Sequence, residues 1–230
     1  MKAMILAAGL GKRMRPLTDN TPKPLLCVGG KSLIVYHLER LQALEVSEVV
    51  INVSYLGDEI VKALGDGRDW NLTIHYSFED EPLETGGAIL QALPLLGDEP
   101  FLLVNGDVWV DDDLLTLARS PLSENSLGRL LLVPNPGHNT QGDFSLLDGH
   151  LLHNTEVDAG YTFSGLSLMH PDLVGRYPER RQAFPLREAF AYAIAQDRLE
   201  GELFDAPWWD IGTPERLAEL DQQLSESPKR

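Results

Sequence analysis

Apolar and polar positions follow one pattern in the first half of the chain and another in the second. Nearly continuous apolar runs at 2–7 (KAMILA), 48–54 (EVVINVS), 72–78 (LTIHYSF) and 101–110 (FLLVNGDVWV) alternate with helically spaced stretches at 32–45, 57–64 and 85–93. A run that is apolar on both faces belongs inside a parallel sheet, and the intervening helices supply the crossovers. The first half therefore predicts a doubly wound α/β unit with helices on both faces. Ser32 stands where the first helix needs an N-cap. Further on, 128–134, 143–154 and 161–170 read as strands, with Asp148-Gly149 as a hairpin turn, and 185–196 and 213–224 read as helices. Thr213 caps the last helix and Pro214 opens it. With no internal repeat and no linker, one domain over 1–230 is expected.

Composition narrows the setting. The chain has 230 residues, enough to bury a full core, and 43% of them are hydrophobic. A net charge of −16 opposes nucleic-acid binding, which needs a basic face. The single cysteine, Cys27, rules out an internal disulfide and reads as a small buried apolar residue. No apolar run is long enough for a signal peptide or a membrane span, so a cytoplasmic protein is expected. Nothing indicates an obligate protein partner.

Against that acidic background, residues 6–26 (LAAGLGKRMRPLTDNTPKPLL) gather Lys12, Arg13, Arg15 and Lys23 in a Gly- and Pro-rich segment directly after the first strand. Loops at the carboxyl ends of parallel strands bind ligands in open α/β folds. Glycines there let backbone N–H groups approach an anion. Two familiar phosphate motifs fail: a Walker A loop needs Gly at 6 and Ser or Thr at 13, and the dinucleotide pattern needs Gly at 14. The sequence has Leu6, Arg13 and Met14.

This loop resembles the G-x-G-x-R…P-K-P-L signature of sugar-1-phosphate nucleotidylyltransferases. The resemblance continues through ETGGA (84–88), VNGD (104–107), FSG (163–165) and WWDIGTPERL (208–217), in the family's order. It implies a Rossmann-like mixed, mostly parallel sheet with helices on both faces and a small sugar-binding β insertion. Residues 1–110 would mainly bind nucleotide and 111–230 mainly sugar phosphate. It also implies that a nucleoside triphosphate, UTP on the reading preferred here, reacts with a sugar 1-phosphate to give nucleotide sugar and pyrophosphate. A guanylyltransferase acting on mannose or heptose 1-phosphate, a phosphocholine cytidylyltransferase and a non-catalytic regulatory domain stay open as alternatives.

The chemistry accounts for what the sequence lacks. A sugar phosphate, with a second pKa near ~6, is already a nucleophilic dianion at neutral pH. No general base is required, and no catalytic His, no G-x-S-x-G elbow and no acid/base pair stands out. None of the six histidines falls in a metal-ligand pattern on a helix. Catalysis then rests on positioning and cations. Arg13 is the expected stabiliser of transition-state charge, and Lys12 with the backbone of Leu10 and Gly11 would hold the β- and γ-phosphates. Lys23, confined between Pro22 and Pro24, would contact the reacting phosphates.

The remaining roles follow the resemblance. Mg2+ would sit on Asp107 and Asp210, because that ion takes one or two carboxylates together with substrate phosphates. Trp208 and Trp209 would pack under Asp210. The run Asp111–Asp113 is expected to open the helix DLLTLAR instead of binding metal. The base would lie on Ala7, Ala8 and Gly9 and on the small residues of the turn containing Thr85 and Gly86. Pro82 stands about where several relatives carry a base-reading Gln. Asn105 and Gly106 would face ribose or sugar phosphate, and Gly142, Asn154 and Glu156 the hexose.

Overall fold

A computed structural model describes residues 1–111, 115–118, 120–153 and 160–226. The chain runs β1 (Lys2–Leu6), β2 (Cys27–Val28), β3 (Lys31–Ser32), α1 (Leu33–Ala43), β4 (Glu48–Val53), α2 (Gly57–Leu64), β5 (Thr73–Phe78), α3 (Glu84–Leu96) and β6 (Phe101–Asn105). It continues through β7 (Val108–Val110), α4 (Leu115–Ala118), β8 (Gly128–Val133), β9 (Phe144–Leu147), β10 (His150–His153) and β11 (Thr162–Met169). The last elements are α5 (Asp172–Gly175), α6 (Leu186–Ile194), β12 (Leu199–Leu203), β13 (Trp208–Asp210) and α7 (Pro214–Glu226).

Nine strands form one mixed sheet in the order β5-β4-β1-β6-β11-β8-β12-β10-β9. The first four are parallel, as the apolar runs predict. Strand β11 enters antiparallel between β6 and β8, β12 lies parallel to β8, and the β9–β10 hairpin closes the far edge. Two small ribbons, β2–β3 and β7–β13, stand apart from the sheet.

Period-two alternation builds both cores. Ala3 and Ile5 of β1 pack toward Ile34, Leu38 and Leu41 of α1, while Met4 between them packs toward Ala88, Ile89 and Ala92 of α3. Each large side chain fully buried this way contributes about 1.5–3 kcal/mol. A one-residue slip of β1 would reverse both faces at once. A third cluster joins Met14, Leu33, Trp109, Ile211 and Leu220, and so ties the opening loop to β7, β13 and α7.

The run predicted at 101–110 divides. Gly106 donates its N–H to the Leu6 carbonyl at 2.9 Å, and a Cβ there would lie 2.6 Å from that oxygen. The chain turns at this point, and Val108–Val110 leave the sheet to pair with β13. The Asp148-Gly149 turn forms as predicted, with φ of 49° and 84°. Ser32 occupies the N-cap of α1 without a side-chain hydrogen bond, whereas Thr213 Oγ1 accepts from the Arg216 N–H at 3.4 Å. Strand β12 is one of the elements the apolar pattern does not predict, because LEGEL has no continuous apolar run. It is held by a nearly buried pair, Glu200 with Arg129 of β8, at 2.7 Å. Cys27 is exposed on the short β2 strand, contrary to the buried position expected, since its neighbour Val28 takes the inward face. Asp112 and Asp113 lie outside the described residues. Among those described, no helix is long and apolar enough to cross a membrane.

Candidate active site

The opening loop forms one wall of a cleft of about 550 Å³ at the carboxyl ends of β1 and β6. Residues Ala7 through Arg13 all face it. Gly11 takes a left-handed conformation (φ 58°), and its carbonyl accepts from Thr18 Oγ1 at 2.8 Å and from the Met14 N–H at 2.8 Å. A side chain at Gly11 would collide with Thr18. Met14, fully buried, pins the loop to the third core cluster and leaves Lys12 and Arg13 exposed at the cleft. Lys23 is buried and reaches Asp107, its Nζ 2.6 Å from Oδ2. Arg15 turns the other way, pairs with Asp19 at 3.3 Å and does not line the cleft.

The inner wall holds residues that the sequence reading missed. Asn52 Oδ1 accepts the Ala7 N–H at 2.8 Å and its Nδ2 donates to Glu79 Oε1 at 2.7 Å. Glu79 Oε2 in turn accepts the Leu83 N–H at 3.2 Å. Asn52 and Glu79 are both buried and both line the cleft. The network locks three backbone segments around the space beside Ala7 and Ala8, the expected base position. Thr85 lines the cleft too, and its Oγ1 accepts the Leu186 N–H at 2.9 Å. Gly86 does not line it. A Cβ at Gly86 would lie 2.4 Å from the Phe184 ring, so this glycine serves helix packing and leaves no added room for a flat base.

Asp107 follows β6 on the cleft wall, and Asp210 ends β13. The β7–β13 ribbon brings them together: Asp210 pairs with Val108, and the Ile211 N–H donates to the Asp107 carbonyl at 2.9 Å. Each carboxylate has its own cation. Asp107 has Lys23, while Asp210 Oδ2 accepts from Arg216 Nη1 at 2.7 Å and lies 3.2 Å from His138 Nε2. Among the described residues no three His, Cys, Asp or Glu side chains converge. Two hard carboxylates, Asp107 just before β7 and Asp210 at the end of β13, are the donor type that suits Mg2+, whose other ligands come from substrate phosphates and water. Trp208 and Trp209 precede Asp210 on β13; Trp208 Nε1 donates to the Ser164 carbonyl at 2.8 Å, and Trp209 packs against the third core cluster.

Behind this ribbon lies His37 of α1, fully buried. Among the described residues, neither ring nitrogen has a partner that meets hydrogen-bond geometry. Burial, reinforced by the Arg40 charge, pushes its pKa down to about 3, and the Val108 backbone and the Asp107 carboxylate offset this only in part.

A second cleft, of about 720 Å³, adjoins the first. Leu6, Thr85 and Asn105 belong to both. Asn105 is seated by a bulge in β11, where Gly165 (φ 82°) leaves the space its side chain occupies. Gly142, an expected sugar contact, is on this second cleft, along with Phe144, Phe163, Phe190, His153 and Arg187. Asn154 and Glu156 lie outside the described residues.

The parallel half of the sheet thus presents the backbone and cations of its first loop to a cleft, with Asp107 on the same cleft wall as Lys23 and a second cleft alongside. Residues 2–142 match the nucleotidyl transferase family, and the chain belongs to that family. It is 47% identical over 223 residues to the N-acetylmuramate alpha-1-phosphate uridylyltransferase of Neisseria meningitidis, covering 95% of this chain and 96% of that one. It is 30% identical over 229 residues to the mannose-1-phosphate guanyltransferase of Aspergillus oryzae, covering 93% of this chain and 61% of that one. A Bacillus anthracis protein solved in complex with sucrose shares the fold, with a TM-score of 0.88 at 18% identity over 100% of this chain and 97% of the other.

Proposed function

We propose that this protein transfers a uridylyl group from UTP to N-acetylmuramic acid α-1-phosphate, the nucleotide occupying the first cleft and the sugar the second. The observation that carries this reading is the meeting of the two clefts at Leu6, Thr85 and Asn105, beside Asp107 and within the reach of the loop cations. The identity of the acceptor and of the base is supported by the similarity to the Neisseria uridylyltransferase, which extends over nearly the whole length of both chains.

In the reaction, an oxygen of the sugar phosphate attacks the α-phosphorus of UTP. A new P–O–P linkage forms, the α–β bridge breaks, and pyrophosphate leaves with the bonding electrons. Two anions must meet, so this chain's work is alignment and charge neutralisation. Arg13 presents a planar fork able to span two phosphate oxygens, and Lys12 and the amides of Leu10 and Gly11 hold the outer phosphates. Lys23 holds the reacting phosphates beside Asp107. Asp107 and Asp210 would hold Mg2+, which supplies further charge neutralisation at the phosphates. The Asn52–Glu79 network fixes the base platform, and Asn105 lies between donor and acceptor.

The test is pyrophosphate release from each of the four NTPs against a panel of sugar 1-phosphates. UTP with N-acetylmuramic acid α-1-phosphate should give the highest kcat/KM. A preference for GTP with mannose or heptose 1-phosphate would refute the uridylyl assignment and leave the phosphate chemistry in place.

A further inference from the structure

The second cleft contains a cation that phosphate chemistry does not require. Its ionisable lining residues are Asp143, His153, Arg187 and Glu188. The acids are already engaged. Asp143 Oδ2 accepts the Phe163 N–H at 2.8 Å and its Oδ1 accepts from Asn139 Nδ2 at 3.2 Å. Both oxygens of Glu188 are taken by the Arg181 guanidinium, at 2.7 and 2.9 Å. Arg187, in the first turn of α6, forms no ion pair with any described residue, although the chain carries a net charge of −16.

Position decides what such a cation can meet. The attacking phosphate must lie where the clefts join, next to Lys23 and Arg13, both of which line only the first cleft. Arg187 lines only the second cleft. It therefore faces a part of the acceptor other than its phosphate. Around it, Phe163 and Phe144 meet Phe190 edge-to-face at 5.8 and 6.2 Å and give the cleft an apolar wall. A charged pair beside such a wall is less screened than one in open water. A guanidinium fork matches a carboxylate with two parallel hydrogen bonds.

We propose that Arg187 forms a carboxylate subsite, binding an acidic substituent on the ring of the acceptor sugar. This rests on the functional reading above and deepens it: the lactyl carboxylate of N-acetylmuramic acid is the group Arg187 takes, and N-acetylglucosamine lacks it. Arg187 is thereby a specificity residue, with no part in the displacement itself.

The experiment measures kcat/KM for N-acetylmuramic acid α-1-phosphate and for N-acetylglucosamine α-1-phosphate, with UTP, in wild type, R187A and R187K. Wild type should prefer the acidic sugar. R187A should reduce that preference by about 10- to 100-fold, chiefly through KM of the acidic sugar, and R187K should fall between. Equal losses for both sugars, or an unchanged ratio, in an enzyme whose wild type prefers the acidic sugar would overturn the subsite alone. A wild type that prefers the neutral sugar, or uses neither, would overturn the acceptor reading and the subsite with it.

Discussion

Lys23 and Asp107 form a 2.6 Å ion pair on the wall of the first cleft, joining the opening loop to the end of β6, with the lysine side chain 10% exposed and the aspartate 38%. The pair joins a cation proposed to contact phosphate to a carboxylate proposed to bind metal, so neither charge can be altered without disturbing the other. Lys23→Ala should lower kcat by about 100-fold and also lower the Mg2+ concentration needed for half-maximal activity, because it frees Asp107 Oδ2 and removes a charge that repels the metal. A fall in kcat with no change in metal requirement would show that the two residues act separately.

Arg13 is exposed at the cleft, and none of the ion pairs among the described residues involves it. Its removal should leave folding intact. Arg13→Ala is expected to lower kcat by ~10²–10³ with a much smaller change in the Kd for UTP, the pattern of an interaction strongest in the transition state. Turnover near the wild-type rate would rule out that role.

Chelation of divalent metal should abolish activity, and Mg2+ or Mn2+ should restore it. Asp107→Ala and Asp210→Ala should each require more metal or fail to respond. In the second variant Arg216, which now pairs with Asp210 at 2.7 Å, loses its partner. Asp210→Asn therefore serves as the companion variant that retains the shape. Undiminished activity in excess chelator would eliminate the metal.

Packing at the start of α3 makes Gly87 hard to replace. A Cβ there would lie 2.2 Å from the Gln182 carbonyl, and Gly87 itself donates its N–H to the Phe184 carbonyl at 3.2 Å. Gly87→Ala must push the 182–186 segment away. It should cost about 1–3 kcal/mol and lower Tm by several degrees. The same segment leads into α6, so KM for the sugar phosphate should rise more than KM for UTP. Unchanged Tm and KM values would mean the segment yields without cost.

His37 makes a pH-dependent contribution with a definite sign. Its folded-state pKa, about 3, lies below the ordinary 6.5. Between those values the unfolded chain takes up a proton that the folded chain refuses, so stability is full above about pH 6.5 and declines as pH falls toward about 3. Urea midpoints followed from about pH 7.5 down to about pH 4.5 should decline less steeply in His37→Gln than in wild type. Parallel curves would count against the buried neutral imidazole.

What the sequence revealed and what it hid have physical reasons. Residues 6–26 were legible because their glycines, prolines and four cations stand out against a chain of net charge −16 and follow directly on the first strand. Asp107 was legible as an acid ending an apolar run. Asn52 and Glu79 were not, because each is a lone polar residue whose purpose appears only when β4 and β5 are stacked beside β1. Gly86 was misread in purpose: its small size serves Phe184, a residue almost a hundred positions away in the chain. Arg187 looks like any solvated charge at the start of a helix until the fold sets it on the rim of the second cleft. Strand β12 was hidden because its polar Glu200 is answered by Arg129, a pairing no local pattern announces.

The contact between the two clefts is narrow. Among the described residues Leu6, Thr85 and Asn105 are their whole common boundary, with the first cleft drawn mainly from the first quarter of the chain and the second mainly from residues 142–191. On the function proposed above, donor handling and acceptor choice are therefore carried on different stretches of chain. A lineage could exchange the acceptor-facing stretch, and so acquire a new sugar, while its triphosphate machinery passed through unaltered.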